Sequence, residues 1–134
     1  IGALRLSLEP DLAAAAAMRP SRIDGDAARA AIAAMAAART PAELMAANAD
    51  FHDTLYRAAG RPITLDLVTG LRARYERYLR LMWRRTGHAA LSNDEHAELL
   101  DLVLAGDAEA VRRVMQRHVS ASTAEILRAL GAGE

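Results

Sequence analysis

An all-α fold is predicted by three observations on this 134-residue chain. Aromatic residues make up only 4% of it, whereas Ala, Leu, Arg and Glu, which favour helices, are abundant. Apolar residues recur at helical spacing with no β-type alternation, and the Gly and Pro residues fall between the periodic segments. We therefore predict a single domain over residues 1–134, an antiparallel bundle of about six helices with a central metal or ligand pocket.

The first two helices are predicted over residues 2–18 and 23–38. The first ends before Pro20, and Pro10 inside it predicts a kink or a short break. In the second, small Ala residues between the larger apolar ones allow close packing.

The third helix has the strongest start signal in the chain. Thr40 can cap it, Pro41 suits the first helical position and Glu43 completes a capping box. This helix is predicted to end at Gly60.

The fourth helix is predicted from Pro62 to residue 85, before Gly87. Its apolar stripe is predicted to comprise Leu67, Leu71, Tyr75, Tyr78 and Met82.

A second capping box, from Ser92 to Glu95, predicts the start of the fifth helix, which stops at Gly106. Asp107 then caps a sixth helix that runs to about residue 130.

Three histidines lie on the apolar faces of three different helices. His52 stands four residues after Asn48 on the stripe of the third helix, His96 lies in the fifth helix and His118 in the sixth. The fourth histidine, His88, falls between glycine and small residues in a connection and is predicted to be solvated. A buried imidazole or amide is unfavourable unless it finds a polar partner.

Two interpretations of these histidines remain open. Each imidazole could be a core residue bonded to a backbone carbonyl, which is the usual role of a lone buried histidine. Alternatively, one divalent cation could satisfy all three, since bundles build metal sites from facing helices. The chain has no Cys, so any metal must be held by nitrogen and oxygen ligands.

Four segments, taken together, resemble the FCD domain, the C-terminal effector-sensing domain of FadR-subfamily GntR-type transcription regulators. They are RLSLEP (5–10), NADFHDTLYRAAG (48–60), NDEHAELLDLVLAGDAEAV (93–111) and MQRHV (115–119). They cover nearly the whole chain in the order and spacing of that family.

The resemblance implies a helical bundle with one divalent metal ion (Zn, Ni or Mn) ligated by Asn48, His52, His96 and His118. It also implies a small carboxylate metabolite on the open coordination positions, a homodimer, and DNA binding only through an N-terminal winged helix-turn-helix domain. The chain opens at Ile1, and we expect that this domain precedes it.

Two residues depart from the family pattern. Many relatives carry Asp where this chain has Asn48, and the neutral amide should weaken metal binding and leave the site more positive by about one unit. Arg61 stands where Asn is common, which we interpret as a difference in the turn.

Four residues are candidates for binding the effector. Arg5 matches the early Arg of the family and could form a bidentate pair with a carboxylate, although a surface pair with Glu9 four residues on is the alternative. Arg74, Tyr78 and Trp83 are further candidates, with a solvated Arg and packing aromatic rings as the alternatives.

The composition restricts the kinds of partner and the compartment that we expect for this chain. The chain has 17 basic and 17 acidic residues, so it lacks the positive charge of a nucleic-acid or membrane-surface binder. No run approaches the roughly 20 apolar residues of a membrane span, which makes the cytoplasm the default compartment.

We expect a sensing domain rather than an enzyme. The alternatives are a metal-dependent hydrolase of the three-histidine type and a structural bundle without a ligand.

Overall fold

The computed structural model describes residues 1–86 and 93–131, and this part of the chain consists of helices joined by short connections. The six α-helices are α1 (Gly2–Ala17), α2 (Gly25–Ala37), α3 (Pro41–Arg57), α4 (Pro62–Thr86), α5 (Asn93–Leu104) and α6 (Ala108–Gly131). The all-α prediction is therefore confirmed. None of the described helices is long and apolar enough to cross a bilayer.

Two of the predicted helix starts are confirmed by caps. The Thr40 hydroxyl accepts a hydrogen bond from the backbone N–H of Glu43 at 3.2 Å. The Glu43 carboxylate in turn accepts one from the N–H of Arg39, one residue before the expected partner. Asp107 caps α6 by accepting from the N–H of Ala110. The predicted cap at Ser92 and the predicted solvation of His88 lie outside the described residues.

Helices α3 and α5 are followed by glycines that turn the chain. Gly60 has a φ of 67° and Gly106 a φ of 76°, a left-handed conformation in which a side chain would be strained. The chain can therefore reverse direction within a few residues, and α5 packs directly against α6.

Two predictions for the first two helices are wrong in detail. Pro10 does not break α1, which continues from Gly2 to Ala17 because both halves pack along α6. The second helix starts at Gly25 because a 3₁₀ turn, Pro20–Arg22, and an Asp24 cap come first. The Asp24 carboxylate accepts a hydrogen bond from the N–H of Ala27.

The buried face of α4 shares Tyr75 and Met82 with the predicted apolar stripe but is rotated away from Leu67, which is 56% exposed. Among the described side chains of α4, the buried ones are Val68, Arg72, Tyr75, Leu79 and Met82. The start of α4 is apolar on two sides, so hydrophobic periodicity alone could not decide which side faces inward. The choice matters because the true face brings Arg72 into the core.

All six helices contribute to one core, and the predicted histidine positions are inside it. Its larger apolar side chains with no exposed surface are Leu12, Phe51, Leu55, Tyr56, Val68, Val103, Val111, Met115 and Val119. Polar groups within such a core must be satisfied by one another or by a ligand.

Candidate metal and effector site

The three histidines converge. His52 of α3, His96 of α5 and His118 of α6 are all buried, with at most 6% of any of them exposed. The His52 and His96 ring centroids are 5.4 Å apart, those of His52 and His118 5.6 Å, and those of His96 and His118 5.0 Å. Three different helices thus present imidazoles to one point of the core.

The spacing of their nitrogens fits a shared cation. One nitrogen from each ring lies within 4.8 Å of the other two. Two nitrogens bound to one ion at roughly 2.0–2.1 Å can be at most about 4.2 Å apart. Three nitrogens spaced around one ion at that distance would be about 3.3–3.6 Å apart, so each would have to move inward by up to about 1 Å to coordinate the same ion.

Asn48 lies one turn before His52 on the same face of α3, and its side chain is 3% exposed. The Asn48 Oδ1 and the His52 Nδ1 are both buried without a hydrogen-bond partner. Buried polar atoms of this kind cost about 1–3 kcal/mol each unless something bonds them. We call Asn48, His52, His96 and His118 the histidine cluster.

Glu95 fixes the orientation of His118. The Nδ1 of His118 lies 2.8 Å from Oε2 of Glu95, and this hydrogen bond is the main cause that lowers the pKa of Glu95 below its usual range. When Nδ1–H donates to this carboxylate, the Nε2 lone pair of His118 is left for a ligand. A carboxylate behind a metal-binding histidine commonly has this function.

The Phe51 ring covers two of the imidazoles. The Phe51 ring packs edge-on against His52 at 5.2 Å and against His96 at 4.9 Å. Burial holds the pKa of His52 well below its ordinary value, and the charge of Arg72 and the neighbouring histidines lower it further. His52 is therefore neutral near pH 7, which is the form that binds metal.

A second polar cluster lies beside the first and centres on Glu9. The Glu9 carboxylate is fully buried and accepts a hydrogen bond from Arg5 Nε at 2.5 Å and another from the Tyr56 hydroxyl at 2.5 Å. Arg72 Nη1 approaches the same carboxylate at 3.5 Å. The Arg5 guanidinium also lies 3.8 Å from the centroid of the Tyr75 ring. We call Arg5, Glu9, Tyr56 and Arg72 the arginine–glutamate cluster.

This cluster keeps its carboxylate charged. Burial alone would raise the pKa of Glu9, but the charges of Arg72 and Arg5 outweigh burial and place the pKa below its ordinary value. Burial and the charge of Glu9 raise the pKa of Tyr56 well above its usual range, so its hydroxyl remains a donor. The two clusters touch at Tyr56, whose ring centroid lies 5.6 Å from that of His52.

The predicted effector-binding residues fall in different places. Arg5 is 2% exposed and is paired with Glu9, so the pair that the sequence suggested exists, but it is buried rather than at the surface. Arg74 is exposed and Tyr78 half-buried, and both line outer cavities. The side chain of Trp83 lies outside the described residues. Effector binding by Arg74, Tyr78 and Trp83 stays a prediction.

Two residues of the site were not among the candidates from the sequence. Arg72 was not one of them, although its spacing of three before Tyr75 and four after Val68 puts it on the buried face. Glu95 was considered as part of a capping box, yet its carboxylate reaches His118 on the next helix.

Comparison with known proteins agrees with this architecture. The FCD domain model matches residues 1–121. A similar curated protein is the uncharacterized HTH-type transcriptional regulator BphR of Paraburkholderia xenovorans (strain LB400), 34% identical over 76 residues, which are 57% of this chain and 31% of that protein. The match thus spans less than a third of that relative's length. No solved structure matches the chain.

Proposed function

Because the chain belongs to the FCD domain family, we propose that it is the ligand-sensing domain of a GntR/FadR-type transcription regulator. In this proposal Asn48, His52, His96 and His118 hold a divalent metal ion, and a small carboxylate metabolite binds beside them. The observation that carries the proposal is the convergence of three buried imidazoles from three helices, with nitrogens within 4.8 Å of one another.

The ligand set suits zinc, nickel or manganese. Neutral imidazoles and an amide oxygen are accepted by several divalent ions, so availability would decide which one is bound. Once bound, the ion would supply positive charge and open coordination positions for a carboxylate. The protein's own contribution is a buried set of imidazoles in which Glu95 orients His118 and the Phe51 ring covers His52.

Effector binding would be transmitted through the helices that carry the ligands. Filling the pocket would pull α3, α5 and α6 towards one another, and a coupling of about 1–3 kcal/mol would be enough to shift DNA binding. DNA would be bound by a separate helix-turn-helix domain, as the name of the HTH-type regulator BphR suggests for that protein.

We propose that the domain is a homodimer joined through α1 and α4. Leu4 and Leu67 are exposed by 55% and 56%. They line a groove of about 300 Å³ together with Asp66, Gly70 and Arg74. A two-fold crossing of two α4 helices at Gly70 would place Asp66 of one subunit opposite Arg74 of the other, which makes the groove complementary to itself.

Analytical ultracentrifugation tests this interface. Leu67→Glu should convert the dimer to a monomer, whereas Leu127→Glu, a change of an equally exposed leucine on α6, should not. A monomeric unmodified protein, or equal behaviour of the two variants, rejects the α1–α4 dimer.

Hydrolysis remains the alternative activity for a three-histidine site. The carboxylate that contacts the cluster, Glu95, is bonded to His118 Nδ1 and so orients a ligand, which does not favour it as a general base. Turnover of ester or amide substrates by the metal-loaded protein, lost in His96→Ala, would establish this alternative instead.

Metal analysis combined with a thermal-shift assay tests the sensing function. Protein purified without an affinity tag should contain close to one divalent ion per chain, and organic acids should raise the melting temperature only when the ion is present. His96→Ala should abolish both effects, and His88→Ala, a histidine that the resemblance does not assign to the site, should retain both. A metal-free protein that cannot be loaded with metal would reject the proposal.

A further inference from the structure

The buried core of the described chain contains more positive than negative charge. Its buried ionic side chains are Arg5, Arg72 and Glu9, so two guanidinium groups face one carboxylate. An uncompensated charge in a protein interior costs several kcal/mol even after relaxation. This surplus is therefore expected to have a counterpart when the site is complete.

Metal binding would enlarge the surplus. A divalent ion adds two positive charges, and the ligand set proposed here is neutral, because this chain has Asn48 where an aspartate would have brought a negative charge. Glu95, the carboxylate bonded to His118, has 25% of its side chain exposed and balances only one of these charges. A monoanionic effector would still leave the pocket positive.

The arginine–glutamate cluster is close enough for one ligand to contact both clusters. Tyr56 packs against His52 and donates its hydroxyl hydrogen bond to Glu9. The charges of Arg72 and Arg5 act on His52, whose pKa they help to lower. The guanidinium groups and the imidazoles thus line one continuous polar region of the core.

Arg5 still has a donor to offer. Its Nε is bonded to Glu9, but its Nη1 is buried without a hydrogen-bond partner. Arg72 reaches Glu9 only at 3.5 Å, a long contact compared with the usual distance of about 2.7–2.9 Å for a charged pair. Both guanidinium groups can therefore donate hydrogen bonds to a second acidic group while they keep their contacts with Glu9.

We propose that the effector is a dianion, such as a dicarboxylate, whose first acidic group binds at the histidine cluster and whose second is held by Arg5 and Arg72. This inference rests on the proposed sensing function and specifies its ligand class. It assigns Arg72 a role in recognition and explains how the domain functions with a neutral residue at position 48.

Calorimetry with matched acids tests the proposal. The protein is loaded with Ni²⁺, and the α,ω-dicarboxylates from malonate to adipate are each compared with the monocarboxylate of the same chain length, for example succinate with butyrate. We expect the best dicarboxylate to bind at least about tenfold more tightly than its monocarboxylate partner. If every pair binds with equal affinity, the dianion proposal fails and the sensing function stands. If no acid binds in a metal-dependent way, the sensing function itself fails.

Two substitutions make the test specific. Asn48→Asp supplies one negative charge at the metal and should reduce the preference for the dicarboxylate by about tenfold. Arg72→Gln should remove most of that preference, whereas Arg77→Gln, a change of an exposed arginine on the same helix, should not alter it. A preference that persists unchanged in Asn48→Asp overturns the proposal even if Arg72→Gln does not fold.

Discussion

The two polar clusters of the core differ in which of their atoms lack a hydrogen-bond partner. In the arginine–glutamate cluster, both oxygens of Glu9 are engaged, by Arg5 on one side and by Tyr56 and Arg72 on the other, and the unbonded atom is a donor, Arg5 Nη1. In the histidine cluster, Asn48 Oδ1 and His52 Nδ1 have no hydrogen-bond partner. The two lie side by side at the same depth in the core, so burial does not explain the difference.

The difference gives Glu9 a structural role that does not need a ligand. Its carboxylate, bonded from three sides, holds α1, α3 and α4 together whether or not a ligand is present. The unbonded atoms of the histidine cluster destabilise the folded protein until a ligand bonds them. Substitution of Glu9 should therefore act on folding, and substitutions around the histidine cluster should act on metal binding.

The largest effect is expected for Glu9→Gln. This change leaves two buried guanidinium groups without a counter-charge, and breaking a buried pair in this way costs about 3–5 kcal/mol. Urea unfolding of the metal-free protein, followed by circular dichroism, measures it. Glu98→Gln is the control, since Glu98 pairs with Arg117 at 2.8 Å at the surface, where such a pair contributes less than about 1 kcal/mol. Equal losses in the two variants would show that the Glu9 network does not stabilise the fold as proposed.

A smaller effect, on metal binding rather than folding, is expected for Glu95→Gln. The amide can still contact His118 but no longer provides the charge that strengthens the imidazole as a ligand, so metal affinity should fall about 10–100-fold. The urea midpoint of the metal-free protein should change little. Competition with a metal-binding dye measures the affinity, and Asp94→Asn, the same charge change at the exposed neighbouring residue, is the control. If both variants bind metal alike, Glu95 does not orient the site.

The same contrast explains which parts of the molecule could be predicted from the sequence. The histidines were found because a polar residue on an apolar stripe stands out, and the helix ends were found because Thr40, Gly60 and Gly106 act within a few residues of themselves. These are local signals, and a sequence carries them directly.

The arginine–glutamate cluster gave no comparable signal. An Arg and a Glu four residues apart form the same pattern on a buried and on an exposed helix face, so the pairing of Arg5 with Glu9 was considered only as a surface alternative to effector binding. Arg72 was missed because the apolar start of α4 offers two faces, and only packing against α1 and α3 selects the one that buries it. Partners that come from other helices depend on the tertiary structure.

The smallest predicted effect is a pH dependence of stability that belongs to the histidine cluster. In the metal-free protein the pKa of His52 lies well below its ordinary value of 6.5, mainly because of burial, whereas the unfolded chain takes up a proton near that value. The unfolded state then binds more protons as the pH falls, so stability should decrease by about 1 kcal/mol between pH 7 and pH 5.5. Glu9, whose pKa is lowered from 4.5, also stabilises the folded protein, but this stabilisation is lost only at more acid pH and so does not affect the comparison between pH 7 and pH 5.5.

Urea unfolding with a chelator present measures the decrease in stability, and His52→Gln, which cannot titrate, should show a smaller decrease. If the variant follows the same curve as the unmodified protein, the neutral buried imidazole is not the source of the pH dependence.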